Sequence, residues 1–305
     1  MKRRRQTSRT IPDHASRRIE DAGLDAYGVI GEIARGGMST IYLGEDRATG
    51  ERVAIKALDA FHVGHSDLVH RLLAEHELAR RARHPGLIDI RCADQTAHGV
   101  PYLVMEYLDG ESLRELCDRR ALSRDAILDI VAQVACALAA LHAAGVVHCD
   151  VKPDNVFVLC DPDAGGAPRV KVIDFGVARS VHDAGHDGAE AVPGAIAGTP
   201  AFMAPEQWYG APVPASDVYA LGALLYELVT GRPVFSGSLP QLMTAHCEQL
   251  PVRPAALCGD LRPELDRLIM RMLAKDPALR PTMAAIDAEL SQQVAMDLPV
   301  QAAAG

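Results

Sequence analysis

The residues best suited to chemistry lie in two short stretches of the sequence. The first reads His-Cys-Asp-Val-Lys-Pro-Asp-Asn and places a carboxylate (Asp150), an ammonium (Lys152) and an amide (Asn155) on one tight loop. The second reads Asp-Phe-Gly and adds the carboxylate of Asp174 just beyond a predicted strand. A carboxylate that orients a hydroxyl, oxygen ligands for magnesium and a cation beside a phosphate are the parts that phosphoryl transfer needs.

The spacing His-x-Asp-x-Lys-x-x-Asn followed by Asp-Phe-Gly resembles the catalytic core of a protein kinase. The resemblance implies that Asp150 orients the acceptor hydroxyl and takes its proton, while Lys152 neutralises charge on the γ-phosphate. It also implies that Asn155 and Asp174 hold magnesium. We therefore expect ATP as cosubstrate and Mg²⁺ as cofactor. His148 is interpreted as structural, in an apolar column with Phe175.

Later motifs distinguish two related families. Gly198-Thr199-Pro200 and Ala204-Pro205-Glu206 resemble the end of a kinase activation segment, and Arg280 matches the arginine that pairs with Glu206. Small-molecule phosphotransferases share the catalytic-loop pattern but generally lack this segment, so proteins are the expected substrates. Lys152 and Thr199 favour serine or threonine as acceptor. The resemblance covers about residues 27–290 and is to bacterial eukaryotic-like (Hanks-type) serine/threonine kinases.

Lys56 ends the strand-like run Val-Ala-Ile-Lys. An inward-facing lysine on an apolar strand needs anionic partners, because an unpaired buried ammonium is costly. The resemblance implies that these partners are the α- and β-phosphates and a helix carboxylate. We favour Glu75 over Glu77, which lies about 200° further around the helix. The alternative is that Lys56 is an ordinary surface lysine.

The segment from Ile33 to Ile41 keeps only part of the family's three-glycine pattern, with Ala34 in the first position, Gly36 in the second and Ser39 in the third. Glycines allow backbone N–H groups to approach phosphates closely. An ordinary hairpin turn is the alternative. The predicted nucleotide contacts in this segment are Ala34, Arg35, Gly36, Gly37, Met38, Ser39 and Ile41.

The run Met105-Glu106-Tyr107-Leu108 resembles the hinge of a kinase. The resemblance implies that backbone groups of Glu106 and Leu108 hold adenine, with Met105 at the rear of the pocket. The predicted apolar walls around adenine are Ile41, Ala54 and Phe157, for which plain core packing is the alternative.

The order of predicted elements indicates an α+β, bilobal protein-kinase fold, with a small β-rich N-lobe and a larger helical C-lobe. Strand-like runs lie between Tyr27 and Lys56, and helical patterns follow at residues 67–83 and after Ser123. We predict a kinase domain at residues 27–290, with an N-lobe at 27–105 and a C-lobe at 109–290. Residues 1–26 form a basic tail expected to be disordered, and residues 291–305 a C-terminal tail.

Charge and composition exclude several function classes. Residues 1–18 carry +6, and since the whole chain carries −9, residues 19–305 carry −15. An acidic body argues against nucleic-acid binding. The seven scattered cysteines predict reduced thiols in the cytoplasm. The best apolar stretch found, residues 218–229, is too short for a membrane span of about 20 residues, so none is expected.

Two departures from the family pattern concern regulation. Cys149 replaces the arginine that normally pairs with a phosphorylated activation segment, and Ser180 is the only hydroxyl residue between Gly176 and Thr199. We therefore predict activity that does not depend on phosphorylation of this segment, and an ordinary thiol at Cys149. A second hypothesis makes the tail, with Thr7, Ser8 and Thr10 among arginines, a pseudosubstrate or autophosphorylation site. A pseudokinase without useful transfer is the rival from another class.

Overall fold

A computed structural model describes residues 24, 26–160, 168–180 and 198–297 of the 305-residue chain. The proposed regulatory role of the basic tail falls on residues outside this described part. The chain divides into two compact units. The first contains the described residues up to His76 together with Asp89–Leu108. The second contains Glu77–Ile88 and the described residues from position 109 onwards.

This division differs from the predicted lobe boundary, because residues 77–88 group with the second unit. Their backbone pairs with a strand of that unit. The N–H of Val172 donates to the carbonyl of Gly86 at 2.8 Å, and the N–H of Ile88 donates to the carbonyl of Val172 at 3.0 Å. These hydrogen bonds join positions more than 80 residues apart, and hydrophobic periodicity gives no sign of them.

The first unit is built on a five-stranded antiparallel sheet in the order β1-β2-β3-β5-β4. Its strands are β1 (Tyr27–Arg35), β2 (Ser39–Asp46), β3 (Arg52–Leu58), β4 (Ile90–Gln95) and β5 (Pro101–Glu106). A 3-10 turn at Ala60–His62 precedes helix α1 (Ser66–Arg81), which the sequence placed at residues 67–83. The unit's core lies on one sheet face, where Val53, Ile55 and Val104 are fully buried.

The second unit is mostly helical, with two small sheets ordered β6-β8-β9 and β10-β7. Its strands are β6 (Gly110–Ser112), β7 (Val146–Val147), β8 (Val156–Leu159), β9 (Val170–Val172) and β10 (Arg179–Ser180). Its helices are α2 (Leu113–Arg119), α3 (Arg124–Ala143), α4 (Pro214–Thr230), α5 (Leu239–Glu248), α6 (Pro254–Leu257), α7 (Pro263–Met272) and α8 (Met283–Asp297). Its 3-10 turns are Pro153–Asn155, Pro205–Tyr209 and Pro277–Leu279.

Helix α3 begins as the sequence predicts. The hydroxyl of Ser123 caps it by accepting a hydrogen bond from the N–H of Ala126 at 3.2 Å, and Gly145 follows its end with φ of +72°. The apolar residues that recur at helical spacing are all buried, namely Ile127, Ile130, Val131, Val134, Leu138 and Leu141. Helix α8 packs along α3 and continues to residue 297, across the predicted domain end at 290.

Helix α3, with 20 residues, is a longer apolar segment than residues 218–229, the stretch considered from the sequence. Within the described residues it is the one helix whose length and composition would allow it to cross a membrane. Half of its apolar window is buried inside the second unit, as is usual for a core helix, so this is weak evidence for a span. The sequence analysis did not consider this stretch, which contains Asp129 and Gln133.

Candidate active site

Lys56 and Glu75 form a shielded ion pair in the first unit. The ammonium of Lys56, on β3, lies 2.8 Å and 3.1 Å from the two carboxylate oxygens of Glu75, on α1. Only 14% of the Lys56 side chain and 3% of the Glu75 side chain are exposed. Glu77, the alternative partner, has an exposed side chain and lies 4.0 Å from Arg80. The angle between positions 75 and 77 around helix α1 therefore identifies Glu75 as the partner of Lys56.

The strand register brings four of the predicted nucleotide contacts onto one sheet face. Lys56 is directly opposite Ile41 of β2, and Ala54 is directly opposite Met105 of β5. Directly opposed residues share a face, and Ala54 and Lys56 are two residues apart on one strand. The core residues Val53 and Ile55 alternate with them and point to the other face. The ammonium therefore lies beside an apolar surface outside the unit's main core.

The partial glycine motif forms the turn of the β1–β2 hairpin. Gly36 donates its N–H to the carbonyl of Ser39 at 2.8 Å, and the side chain of Met38 is 48% exposed. A Cβ at Gly37 would meet no atom within 4 Å, and neither Gly36 nor Gly37 has a positive φ. The turn itself therefore does not require glycine at 37. Of the other predicted contacts here, Ala34 and Arg35 are exposed and Ser39 is half-buried.

The predicted hinge residues lie at the end of β5. Met105 and Glu106 close the strand, and Leu108 follows at the end of the first unit, all of them half-buried. Glu106 is tied to Asp89 twice, since its N–H donates to the Asp89 carbonyl at 3.0 Å and its carboxylate accepts the Asp89 N–H at 2.8 Å. These two bonds fix the backbone at the point where the strand ends.

In the second unit, a buried carboxylate holds the catalytic loop. Asp217, on α4, is fully buried and accepts hydrogen bonds from the backbone N–H groups of His148 and Cys149, each at 2.8 Å. The ring Nε2 of His142 lies 2.8 Å from the same carboxylate. Cys149 has φ of +67°, a left-handed conformation that is strained for a residue with a side chain. Two N–H groups aimed at one carboxylate stabilise this loop conformation.

The side chain of Asp150 is the centre of a polar network. One carboxylate oxygen accepts the Thr199 hydroxyl at 2.8 Å. The other accepts the Lys152 ammonium at 2.7 Å and the Asn155 amide at 3.0 Å. Lys152 also donates to the Thr199 hydroxyl at 2.8 Å. About 10% of the Asp150 side chain is exposed, so this largely shielded carboxylate is held in place from three directions.

The Asp-Phe-Gly stretch is joined to the catalytic loop. The N–H of Ile173 donates to the carbonyl of Asn155 at 2.9 Å, and the ring Nε2 of His148 lies 3.2 Å from the Ile173 carbonyl. Phe175 is buried, with its ring centroid 5.5 Å from that of His148. Asp174, like Cys149, has a positive φ of +67°. The packing agrees with a structural role for His148.

The oxygen-bearing side chains in this region are suited to a hard cation, such as Mg²⁺, that binds few protein ligands. The Asn155 amide nitrogen donates to both the carbonyl and the carboxylate of Asp150, which leaves its amide oxygen for other partners. Within the described residues, no group of three or more His, Cys, Asp or Glu side chains could hold a metal ion. Magnesium is commonly bound through one or two protein oxygens together with substrate phosphates, so two such ligands suit it.

Two side chains that position the loop were absent from the predicted site. Thr199 contacts both Asp150 and Lys152, and the amide of Gln207 donates to the carbonyl of Cys149 at 2.8 Å. Gly198 precedes Thr199 with φ of +119°, and a Cβ there would meet the Cys149 carbonyl at 2.9 Å. In the sequence, the motif Gly-Thr-Pro was a signal that could have placed Thr199 in the predicted site. Sequence offered none for Gln207, whose contact spans 58 residues.

Cys149 lies where a family arginine is expected, and it cannot receive a phosphate as that arginine would. Its side chain is buried, and its sulfur lies 3.6 Å from the carbonyl of Val147. Burial raises the pKa of the Cys149 thiol well above its usual value, and the nearby carboxylate of Asp217 raises it further. The residue therefore stays a neutral thiol, which agrees with the ordinary thiol predicted from sequence.

The predicted pair of Glu206 and Arg280 is present, with Arg280 buried and Glu206 half-buried. The two guanidinium nitrogens lie 2.6 Å and 2.9 Å from the two carboxylate oxygens, in a bidentate arrangement. Arg280 also donates to the carbonyls of Ala215, Ala274 and Lys275. The 3-10 turn that carries Glu206 is thus fixed to the helices that follow it.

Ser180 lies at the start of the segment that follows Asp-Phe-Gly. It is opposite Val146 in the β10–β7 pair, and its hydroxyl accepts a hydrogen bond from Arg81 at 2.8 Å. Residues 181–197 lie outside the described part of the chain. The beginning of this segment is therefore held by the strand pairing of Ser180 with Val146 and by the hydrogen bond that Arg81 donates to the neutral Ser180 hydroxyl.

Residues 27–290 match the family model described as "Protein kinase domain". The chain is 39% identical over 254 residues to the serine/threonine-protein kinase Pkn1 of Myxococcus xanthus, covering 83% of this chain and 36% of that protein. It is 34% identical over 278 residues to the serine/threonine-protein kinase PknB of Mycobacterium tuberculosis, covering 89% of this chain and 42% of that protein. The match to pkn3 of Myxococcus xanthus is 36% over 271 residues, 87% of this chain and 49% of that protein. The chain thus spans less than half the length of these relatives.

Proposed function

Because this chain belongs to the protein kinase family, we propose that it transfers the γ-phosphate of ATP to serine or threonine hydroxyls of proteins. The relatives named above, which are bacterial, carry the name serine/threonine-protein kinase, and we carry that activity to this chain as part of the proposal. Bacterial signalling is the setting that these relatives suggest.

The network around Asp150 is the single observation that carries the proposal. Thr199, Lys152 and Asn155 hold both oxygens of one shielded carboxylate, with contacts of 2.7–3.0 Å. A carboxylate fixed in this way can orient an acceptor hydroxyl and take its proton as the new bond to phosphorus forms. Lys152, on the same loop, supplies positive charge for the transferred phosphoryl group. In this role positioning matters more than an unusual pKa.

The first unit supports the assignment of the nucleotide's phosphates. Lys56, held by Glu75, presents an ammonium on the same face as Ile41, Ala54 and Met105. We propose that Lys56 binds the α- and β-phosphates and that the neighbouring apolar side chains contact adenine. The space around Gly37, where a Cβ would meet no atom within 4 Å, leaves the loop backbone accessible to phosphate oxygens. The hinge residues Glu106 and Leu108 would bind adenine through their backbone groups.

Asn155 and Asp174 are the proposed ligands for Mg²⁺, which would supply positive charge for the phosphate oxygens when it is bound. The protein's own part is to fix these two side chains. Asn155 is held through its amide nitrogen by Asp150, and the carboxylate of Asp174 accepts the N–H of Gly176 at 3.2 Å.

Two features support a protein as acceptor. The bidentate ion pair of Glu206 and Arg280 fixes the Ala-Pro-Glu turn, a motif that small-molecule phosphotransferases generally lack. The contact of Lys152 with Thr199 agrees with serine or threonine as the acceptor type. Autophosphorylation belongs to the same proposal. All seven cysteines are free, which supports the cytoplasm as the compartment.

The test is incubation of the full chain with labelled ATP, magnesium and a generic basic protein. We expect label on serine and threonine, and Asp150→Asn should lower the transfer rate roughly 100- to 10,000-fold with nucleotide binding retained. Nucleotide binding without transfer in the unaltered chain would instead indicate a pseudokinase. Label on small metabolites but not on proteins would indicate a small-molecule kinase.

A further inference from the structure

A guanidinium of the chain itself lies between two carboxylates next to the catalytic loop. Arg114, on α2, lies 2.7 Å from the carboxylate of Glu227 on α4 and 3.8 Å from that of Asp154. Asp154 belongs to the 3-10 turn Pro153–Asn155, so it directly precedes the amide that contacts Asp150. Helix α2 packs against this turn. Arg114 therefore joins the catalytic loop to two helices of the second unit.

The surroundings of Arg114 favour a positive charge. Burial opposes that charge, but the hydrogen bond with Glu227 and the negative charges of Glu227, Asp154 and Asp118 outweigh burial and raise the pKa of the guanidinium. Three carboxylates thus act on this guanidinium, and a single positive charge can balance only one of them.

The contact between Arg114 and Asp154 is open to solvent. The side chain of Asp154 is 53% exposed and that of Arg114 is 33% exposed, while Glu227 is more shielded. Asp154 is four residues from Asp150, which is at most about 14 Å along the chain. A polypeptide whose hydroxyl lies at Asp150 therefore has neighbouring side chains within reach of this ion pair.

We propose that Arg114 is a specificity-determining residue, which prevents Asp154 and Glu227 from selecting acceptors that carry an arginine or lysine near the serine or threonine. The inference rests on the proposed function, because it concerns acceptors for phosphoryl transfer. The two carboxylates already hold a guanidinium, the same group that an arginine of the acceptor would bring.

The physical reason is competition between two positive charges for one pair of acids. While Arg114 is in place, its guanidinium repels a second cation that the carboxylates attract, so the two effects largely cancel. Without Arg114 the attraction is left unopposed. Removing the guanidinium should therefore turn a site that is indifferent to basic acceptors into one that prefers them.

The experiment compares acceptor peptides with the full chain, ATP and magnesium. Each peptide has one serine in a neutral sequence, and one position at a time, from about four residues before the serine to about four after it, is either arginine or glutamine. Mass spectrometry of the phosphopeptides gives the ratio of kcat/KM for the arginine and glutamine peptides. This ratio cancels any overall loss of activity, so a merely structural role of Arg114 would not change it.

We expect ratios within about threefold of unity in the unaltered chain, and a rise of about five- to tenfold at one or more positions in Arg114→Gln. Unchanged ratios at every position in the variant would overturn the proposal. A strong preference for arginine in the unaltered chain would also overturn it.

Arg124→Gln is the matched control. Arg124 also pairs with an aspartate, Asp260, and 30% of its side chain is exposed, but its partner lies outside the catalytic loop. This variant should leave every ratio unchanged, and a rise equal to that of Arg114→Gln would contradict a local effect.

Asp154→Asn is a second variant that acts in the opposite direction. It removes a half-exposed negative charge, so the ratios should fall about threefold. If Arg114→Gln does not fold, this variant decides, because unchanged or raised ratios would contradict the proposal. Altered rates with unchanged ratios would count against this inference alone, whereas an unaltered chain that phosphorylates neither peptides nor the basic protein would contradict the proposed function itself.

Discussion

The two units hold their key charged groups in different ways. In the first, the ammonium of Lys56 forms a shielded ion pair with the carboxylate of Glu75. In the second, Asp150 is held by three side chains, and its loop is fixed by the fully buried Asp217. The carboxylate of Asp150 therefore keeps two donors if one is removed, whereas Lys56 loses a shielded anion when Glu75 is changed.

This difference matches what each group is proposed to do. A carboxylate that orients a hydroxyl must be placed to within a fraction of an ångström, because small misplacements cost large factors in rate. A phosphate-binding ammonium acts mainly as a point charge on a flexible stem. The network of three donors lies where geometry decides the rate, and the ion pair of Lys56 with Glu75 lies where charge is sufficient.

The largest expected effect comes from Asp217→Ala. This change leaves the N–H groups of His148 and Cys149 without their acceptor in a fully buried position, along with the contact to His142. We expect a loss of roughly 3–5 kcal/mol in the free energy of unfolding, measured by urea denaturation.

The matched control for Asp217 is Asp260→Ala, which removes an aspartate whose side chain is 83% exposed and lies 3.3 Å from Arg124. It should cost less than about 1 kcal/mol. Equal losses in the two variants would contradict the view that Asp217 fixes the loop.

Glu75→Gln should have the next largest effect and tests the ion pair of the first unit. The amide keeps the shape of the carboxylate but removes its charge from the shielded Lys56. We expect protein phosphorylation to fall roughly 10- to 100-fold, since the ammonium loses the negative charge of Glu75. Glu77→Gln, at an exposed position, should leave the rate unchanged. A similar fall in both variants would show that charge on the helix matters more than the ion pair.

An acid-dependent loss of stability is expected from the second unit. Burial, together with the charge of Lys275, lowers the pKa of His246 from 6.5 to about 4. Between these values the unfolded chain binds a proton that the folded chain does not, so stability falls as the pH falls from 6.5 towards 4. A shift of this size corresponds to a loss of about 3 kcal/mol once the pH is well below 4.

The measurement for His246 is urea denaturation at pH 7 and at pH 4.5, for the unaltered chain and for His246→Gln. Since carboxylates titrate in the same range, the test is the difference between the two proteins. The variant should lose less stability on acidification. Identical losses would mean that His246 does not contribute to the acid sensitivity of the second unit.

The smallest effect is expected at Ser180. Arg81 already contacts its neutral hydroxyl, and Cys149 lacks the charge to receive a phosphate. Ser180→Ala and phosphatase treatment should each change the rate of protein phosphorylation by less than about twofold. A large loss after phosphatase treatment alone would show that a phosphate is required. A large loss only in the variant would assign the effect to the Arg81 contact.

Most of what the sequence predicts correctly rests on local periodicity. The choice of Glu75 over Glu77 follows from the angle between helix positions, and the buried face of α3 follows from apolar spacing. Strand β4 was missed because Arg91, Asp94 and Gln95 give it a polar pattern at the edge of the sheet. Helix α2 was missed because seven residues are too few for a clear period, although Ser112 and Glu115 form a capping box at its start.

The candidate site was predictable where a motif names the residue and unpredictable where only folding brings residues together. The spacing from Asp150 to Asn155 lies within one loop, so sequence contains it. The contact of Gln207 with the Cys149 carbonyl depends on the path of the chain through the second unit.

The extension of helix α8 to residue 297 affects how this domain should be prepared for experiments. Leu290 is fully buried and Gln293 is 5% exposed, so a recombinant version cut at residue 290 would end in the middle of a packed helix. Its last carbonyl groups would lose their partners one turn early, beside the apolar surface of α3. A stop placed after residue 297 keeps this packing, and the shorter version should aggregate more readily during purification.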